Sequence, residues 1–219
     1  MPLQAAADCV VLLHGLARTA KSMGKLAAAF DTHGYRVANV NYPSRKKPIE
    51  QLAEIAVQKG VNKCSASAAE KIHFVTHSLG GIIVRYYLAH NQLPRLGRVV
   101  MLAPPNQGSE VVDNISSFPG YSLLNGPAGS QLGTGEGSIP SSLGPVTYPV
   151  GVIAGTRTIN LVLSMYLPNP DDGKVSVENT KVEGMVDYIE IPVSHPFIMR
   201  KEAVIEQALA FMATGKFTR

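Results

Sequence analysis

The sequence of 219 residues contains no tryptophan, and aromatic residues make up only 6% of it. Charged residues are also scarce, at 16%, whereas hydrophobic residues reach 45%. This balance excludes a disordered chain, because disordered chains are poor in apolar residues and rich in charge. We therefore expect a globular protein that is long enough for one domain with a sizeable core.

Cysteine is nearly absent, since only Cys9 and Cys64 occur. Two cysteines make neither a disulfide framework nor a metal site. Cys9 lies in an apolar run, which favours a buried thiol.

Long apolar runs are also missing, and none is long enough to span a bilayer. Residues 1–8 lack the charged start and the long apolar stretch of a signal peptide. The sequence thus predicts no transmembrane segment and a cytoplasmic location.

Basic residues are scattered and give a net charge of only +4, apart from the run Arg45, Lys46 and Lys47. A nucleic-acid surface would need a second basic run or interleaved aromatic residues, so we interpret this trio as a solvated loop. No G-x-G-x-x-G follows a strand and no G-x-x-x-x-G-K occurs, so no nucleotide cofactor is expected. We also expect no metal.

Short apolar runs alternate with segments of helical periodicity. Strands are predicted at 9–13, 35–40, 72–76, 98–102, 148–154 and 185–191, and helices at 22–33, 48–59, 82–91 and 197–213. This alternation predicts an α/β fold with a mostly parallel sheet and helices on both faces. Ligands of such sheets bind at the carboxyl ends of the strands.

Glycine, serine and proline are dense between residues 104 and 147. Apart from a short helix at 109–115, we expect loop structure there. We interpret 104–147 as an irregular, cap-like insertion in a single domain spanning residues 1–219. A surface excursion without a function is an equal alternative.

Ser78 lies between the predicted strand at 72–76 and the predicted helix at 82–91. Thr76-His77-Ser78-Leu79-Gly80 matches G-x-S-x-G except at its first position. A sharp strand-to-helix turn would push the serine hydroxyl out of the sheet edge, beside the amides of a helix N-terminus. The pattern therefore predicts a nucleophilic serine.

Five short motifs, each occurring once, are spread over nearly the whole chain. They are residues 12–16 (LLHGL), 76–81 (THSLGG), 102–109 (LAPPNQGS), 172–175 (DGKV) and 193–195 (VSH). In these motifs the sequence resembles the α/β-hydrolase superfamily, in particular small bacterial lipases and esterases. The resemblance is specific for the fold and for a catalytic triad, but not for a substrate.

The resemblance implies Ser78 as nucleophile, His195 as general base and Asp172 as the acid that orients it. Asp171 is the alternative acid, and the Asp171-Asp172 pair has poor spacing for a calcium site. The resemblance also implies that the backbone N–H groups of Leu16 and Leu79 form an oxyanion hole.

Residues around these positions receive weaker predictions. We expect His77 to point away from Ser78, because neighbouring residues on a turn diverge, and Arg18 to be a surface residue rather than part of a pocket mouth. Candidates for an acyl pocket, with ordinary core packing as an equal alternative, are Tyr42, Leu123, Leu124, Met165 and Tyr166.

The sequence thus predicts a serine hydrolase of carboxylic esters, acting on a small-molecule or lipid-like substrate. A thioesterase, amidase or lactone hydrolase would use the same machinery. A non-catalytic binding module of the same fold is favoured only by Thr76 in place of glycine. The sequence leaves the oligomeric state open.

Overall fold

The structure, a computed structural model, describes residues 7–66 and 69–219. Residues 1–6, which contain most of the segment tested for a signal peptide, lie outside the described residues. The same holds for residues 67–68, in the connection that leads to the third strand. Within the described ranges, no helix is both long and apolar enough to cross a membrane.

The described residues form one sheet of six strands. Its neighbours follow the order β2-β1-β3-β4-β5-β6, and every neighbouring pair is parallel. The predicted parallel sheet is therefore confirmed. The strands are β1 (Cys9–Leu13), β2 (Arg36–Val40), β3 (Ile72–His77), β4 (Leu96–Leu102), β5 (Val150–Gly155) and β6 (Asp187–Ile191).

Helices fill the connections between these strands. In chain order they are α1 (Gly24–Thr32), α2 (Ile49–Ser65), α3 (Leu79–His90), α4 (Glu110–Ile115), α5 (Tyr121–Ser130), α6 (Ile139–Ser142), α7 (Leu161–Ser164), α8 (Val177–Thr180) and α9 (Glu202–Thr214). Short 3₁₀ helices at Ala20–Met23 and Ile198–Arg200 precede α1 and α9.

The core lies on both faces of the sheet, because side chains alternate along each strand. On β1, Val11 and Leu13 pack into the cluster that contains residues of α2 and α3. Val10 and Leu12 pack into the opposite cluster, with residues of α1 and α9. Each of these four side chains is fully buried, which stabilises the fold by roughly 1.5–3 kcal/mol per side chain relative to exposure.

Several predicted helix boundaries are wrong, since α3 begins at Leu79 and not at residue 82, and α9 begins at Glu202 and not at residue 197. The helix predicted from residue 22 was expected to have Ser22 as its N-cap. Ser22 does not cap a helix, because it lies inside the first 3₁₀ helix and its hydroxyl donates to the Thr19 carbonyl at 2.8 Å. Helix α2 continues past the predicted end at residue 59. A Cβ atom on Gly60 would lie 2.4 Å from Cγ1 of Val11, so this glycine lets the helix approach β1 closely and does not end it.

The expected buried thiol at Cys9 is also wrong, because Cys9 and Cys64 form a disulfide with Cα atoms 5.6 Å apart. The bond joins the first residue of β1 to the last turn of α2, across 55 positions of sequence. Sequence spacing could not reveal this pair, since the return of α2 along the sheet brings the two residues together.

The insertion contains more helix than predicted, because α5 and α6 occupy much of the expected loop at 116–147. Its two ends are held by Arg85 of α3. The guanidinium donates to the Asn106 carbonyl and to the Gly144 carbonyl, both at 2.8 Å. Arg85 is buried, so these hydrogen bonds fix the base of the insertion to the central helix.

Candidate active site

Ser78 forms a sharp turn between β3 and α3. Its φ of 52° and ψ of −122° are rare for a residue with a side chain, and such a conformation costs of order 1–3 kcal/mol. The surrounding backbone holds it there: the Ser78 N–H donates to the Leu102 carbonyl at 2.9 Å, and the Gly81 N–H donates to the Ser78 carbonyl at 2.8 Å. The predicted strand–turn–helix around this serine is therefore present.

Glycines allow the loop after β1 to pack against this turn. A Cβ atom on Gly80 would lie 2.6 Å from the Leu13 carbonyl oxygen, and one on Gly15 would lie 3.2 Å from Cβ of Ser78. Side chains at either position would push the two loops apart. The end of β1 is therefore fixed beside Ser78.

Thr76, which departs from the serine motif, fits without difficulty. It lies in β3 and not in the turn, and its buried hydroxyl is 3.4 Å from the Val100 carbonyl oxygen on the neighbouring strand. A branched residue suits a strand position of this kind.

Strained backbone is concentrated at this edge of the sheet. In the described residues, three non-glycine positions have positive φ: Ala17 at 54°, Ser78 at 52° and Ala103 at 46°. They follow β1, β3 and β4, three adjacent strands, so all lie at the carboxyl ends of parallel strands. Such clustering is typical of functional sites.

His195 and Asp172 form a close pair. Nδ1 of His195 lies 2.7 Å from Oδ2 of Asp172, and the His195 N–H donates to the Asp172 carbonyl at 3.0 Å. The other carboxylate oxygen, Oδ1, accepts the N–H groups of Lys174 at 3.0 Å and Val175 at 2.9 Å. Asp172 is only 1% exposed, so its orientation is fixed and it directs the imidazole.

Asp171, the alternative acid, is engaged elsewhere. One of its oxygens accepts the Gly173 N–H at 2.7 Å, and the other accepts the Ser164 hydroxyl at 2.6 Å. Asp172 is therefore the carboxylate that faces His195. Among residues 7–66 and 69–219, no group of three or more His, Cys, Asp or Glu residues could hold a metal ion.

Ser78, His195 and Asp172 border the same cavity, which has a volume of about 460 Å³. Part of its wall comes from the insertion, because α4 and its neighbours contribute apolar side chains. These lining residues of the insertion include Val111, Val112, Ile115, Tyr121 and Leu132.

Of the two predicted oxyanion residues, Leu79 directly follows Ser78 and Leu16 borders the same cavity as Ser78. Leu16 borders the cavity and belongs to a turn in which the Arg18 N–H donates to the Gly15 carbonyl at 3.2 Å. Leu79 is the first residue of α3, where backbone N–H groups have no partner within the helix. The N–H of Leu79 thus lies at the N-terminus of α3, and Leu16 lies in a turn that borders the cavity.

His77 borders the same cavity as Ser78 and contacts His195, a contact that its position beside Ser78 did not predict. Its Nε2 lies 3.1 Å from the His195 carbonyl oxygen, and the two imidazole rings are 4.8 Å apart. A carbonyl only accepts, so Nε2 carries the proton and Nδ1 does not. Burial, followed by the charges of His195 and Arg18, holds the pKa of His77 well below its usual value. His77 therefore supports His195 as a neutral ring.

The proposed acyl-pocket residues are wrong. Tyr42 is buried and stacks on His14 with ring centroids 4.1 Å apart, whereas Leu123 is 85% exposed and Met165 is 78% exposed. None of the five candidates borders the cavity. Only the apolar spacing of Val111, Val112 and Ile115 in a short helix could have indicated the actual wall.

Arg18 and Lys174 both border the cavity. Arg18 is exposed, as expected of a surface residue, but it lies at the cavity and not away from it. No sequence signal distinguished these two cations from the others.

The parallel sheet, with Ser78 at the turn after its central strand and His195 after its last, defines the α/β-hydrolase fold. The predicted fold class is therefore confirmed. No protein-family model matches the sequence, and no curated protein matches it either.

Solved structures match nearly the whole chain at low sequence identity. A mature lipase of Bacillus licheniformis superposes with a TM-score of 0.74 at 18% identity, covering 97% of this chain and 93% of the lipase. The phospholipase PlaB of Legionella pneumophila gives 0.71 at 18% identity, covering 96% of this chain and 57% of PlaB. A metagenomic carboxyl esterase gives 0.65 at 19% identity, covering 90% of this chain and 68% of the esterase. At such identities these matches establish the fold.

Proposed function

We propose that the protein is a serine hydrolase of carboxylic esters, with Ser78, His195 and Asp172 as its catalytic triad. The observation that carries the proposal is the 2.7 Å contact between His195 and Asp172 at a cavity that Ser78 also borders. A lipase, an esterase and a phospholipase among the matching folds are consistent with this chemistry.

The proposed reaction follows from the tautomer of His195. Because Asp172 accepts from Nδ1, Nε2 is free of a proton and can take the one on the Ser78 hydroxyl. The serine oxygen then forms a bond to the ester carbonyl carbon, the bond to the alcohol breaks, and the imidazolium returns the proton to the leaving alcohol. Water repeats the sequence on the acyl-enzyme and releases the acid.

Leu16 and Leu79 supply the proposed oxyanion hole. Their N–H groups would bind the carbonyl oxygen as negative charge develops on it, and the loss of one such donor typically costs about 3 kcal/mol of transition-state stabilisation. Because both donors belong to the main chain, the fixed position of the β1 loop beside Ser78 decides whether they are effective.

The substrate is proposed to carry an apolar acyl group. Val111, Val112 and Leu132 give the cavity an apolar wall. Exposed apolar side chains outside the cavity, among them Leu123, Leu124, Leu161, Val162 and Met165, favour a lipid-like molecule. We propose that the insertion at 104–147 acts as a cap within a single domain, because it contributes this wall.

A fluorophosphonate probe tests the proposed nucleophile. We expect the folded protein to be labelled and to lose labelling in the Ser78→Ala variant, while Ser109→Ala, another cavity serine, keeps it. A folded protein that stays unlabelled, with ester turnover unchanged by Ser78→Ala, would contradict the proposal.

Substrate panels separate the related activities. Rates on p-nitrophenyl esters of increasing acyl length distinguish a lipase from a short-chain esterase, and matched thioesters, amides and lactones test the other acyl transfers. Tight ligand binding without any turnover would instead identify a binding module.

We propose that the protein works in an oxidising compartment and not in the cytoplasm that the sequence suggested. The Cys9–Cys64 disulfide is the reason, because such bonds persist mainly outside the reducing cytosol.

A further inference from the structure

Two cations stand at the cavity on different loops. Arg18 ends the turn that follows β1, and Lys174 lies in the loop whose N–H groups bind Asp172. Both are exposed residues that border the cavity shared by Ser78 and His195. They therefore flank the proposed reaction centre from the two loops that also shape it.

Neither cation makes an ion pair in the described residues, although the charge of Asp172 acts on Lys174. Within residues 7–66 and 69–219, the side chains of Arg18 and Lys174 make no ion pair and no hydrogen bond, whereas Arg219 pairs with Asp187 at 2.7 Å. Among the described residues that line the cavity, Asp172 is the only acid. Its carboxylate is already shared by His195 and two backbone amides.

The positive charges act on the interior of the site. The charge of Arg18 contributes to holding the pKa of His77 below its usual value, after burial and His195. Lys174 is an exposed residue, but desolvation of its ammonium lowers its pKa, while Asp172 acts in the opposite direction. Because both cationic residues are exposed, salt should screen their attraction for an anion at this mouth.

The rest of the cavity is lined largely by apolar side chains. Val111, Val112, Ile115 and Leu132 form its apolar wall on the side of the insertion. A substrate that fits both parts has an apolar group on one side of its ester carbonyl and an anionic group on the other. A neutral ester would leave the two cations without a partner.

We propose that the substrate is an ester with an apolar acyl chain and a negatively charged alcohol portion, bound by Arg18 and Lys174. The negative group is a phosphate or a carboxylate, the two anions that guanidinium and ammonium groups bind. This inference rests on the proposed esterase function and names the substrate class of the same site.

Matched esters test the preference. Para-butanoyloxybenzoate carries a negative charge on its leaving alcohol, and para-butanoyloxybenzamide is its neutral counterpart. The readout is the ratio of kcat/KM for the anionic ester to that for the neutral ester. We expect this ratio to fall about tenfold in the double variant Arg18→Gln/Lys174→Gln, mainly through KM, because the contacts lie away from the bond that breaks.

Salt and a matched variant provide the controls. Raising the salt from about 20 to 500 mM should lower the ratio in the wild type but not in the double variant. Lys63→Gln is the matched control variant. It removes a cation next to Cys64, which is bonded to the first residue of β1 and so lies at the opposite edge of the sheet. This variant should leave the ratio unchanged. Para-butanoyloxyphenyl phosphate, compared with the benzoate, shows which anion is preferred.

The outcomes separate the two proposals. If neither ester is hydrolysed and the fluorophosphonate probe fails to label, the esterase function itself is wrong. If both esters are hydrolysed with the same ratio in the wild type and the double variant, only the anionic preference is overturned. Thermal unfolding and turnover of the neutral ester show whether the double variant has folded. If it has not, the single variants Arg18→Gln and Lys174→Gln are measured in its place.

Discussion

The carboxyl edge of the sheet and the outer helices α5 and α7 are built on opposite principles. At the edge, Ser78, Asp172 and His195 are buried polar residues whose backbone or side chains are held by several hydrogen bonds. In α5 and directly after α7, apolar residues such as Leu123 and Met165 face the solvent. The edge therefore holds polar side chains in fixed positions, whereas the outer helices present an apolar surface to the solvent.

This difference agrees with the different tasks that we propose for the two regions. Chemistry requires reacting groups in fixed positions, and buried hydrogen bonds provide them. Apolar residues left in water contribute little to stability, so their presence needs another reason, such as contact with an apolar molecule. Arg85 connects the regions, because it fixes the base of the insertion while its outer part extends away.

Replacing either aspartate at the edge tests the comparison most strongly. We expect Asp172→Asn to lower kcat by roughly 10⁴-fold, because the amide no longer holds His195 in the required tautomer. Asp171→Asn is the matched control and should retain most activity, since Asp171 bonds Ser164 and Gly173 instead. Equal losses in the two variants would contradict the assignment of the acid; ester hydrolysis rates measure both.

Removing the disulfide tests whether the edge depends on the opposite end of the sheet. Closure of a 55-residue loop is worth about 4 kcal/mol in the chain-entropy estimate. We expect Cys9→Ser/Cys64→Ser to lose stability of this order, with a melting temperature lower by about 10 °C. At a temperature where both proteins are folded, kcat should be unchanged. Wild type with a reducing agent is the control, and a large loss of kcat would show that the two ends are coupled.

Acidification tests the neutral state of His77. Burial depresses the pKa of this residue in the folded protein, whereas the unfolded chain has a value of about 6.5. Below that pH the unfolded state binds the additional proton, so stability falls as pH falls, by up to about 1.4 kcal/mol per pH unit from this one group.

His77→Gln should therefore flatten the decline in the free energy of unfolding between about pH 6.5 and 5. Denaturant titrations at several pH values measure this slope. His90→Gln, at an exposed position, is the control. An unchanged slope in His77→Gln would mean that His77 is not the group that acid titrates.

Substitutions on α5 should have the smallest effect on stability. Leu123→Ser/Leu124→Ser changes only exposed side chains, so we expect the free energy of unfolding to shift by less than about 0.5 kcal/mol. The rate on long-chain esters should fall while the rate on short-chain esters stays. Ile55→Ser on α2 is an exposed apolar control outside the cavity lining. Equal losses on both ester lengths would argue against a substrate surface.

Local patterns predicted the sheet and the position of Ser78 well. Short apolar runs mark the strands because parallel strands are buried on both faces, and the serine turn has a strong local signature. Asp172 and His195 followed from the order of motifs, and the contact between them required the fold.

The structural features that the sequence could not predict depend on contacts between segments that are distant along the chain. His77 was judged from its neighbour Ser78, but its partner is the His195 carbonyl, 118 positions away. The second helix was predicted to end at residue 59, yet α2 continues through Gly60, which packs closely against Val11 of β1. The disulfide and the cavity wall likewise join segments whose separation along the chain hides their proximity.

The left-handed backbone of Ala17, Ser78 and Ala103 limits how this protein can be made more heat-resistant. Glycine adopts such angles without strain, so it would be the natural choice for a stabilised variant at any of the three positions. At 17 and 103 that exchange would remove only a methyl group. At 78 it would remove the hydroxyl, so greater thermal tolerance there would come only with the loss of the proposed nucleophile.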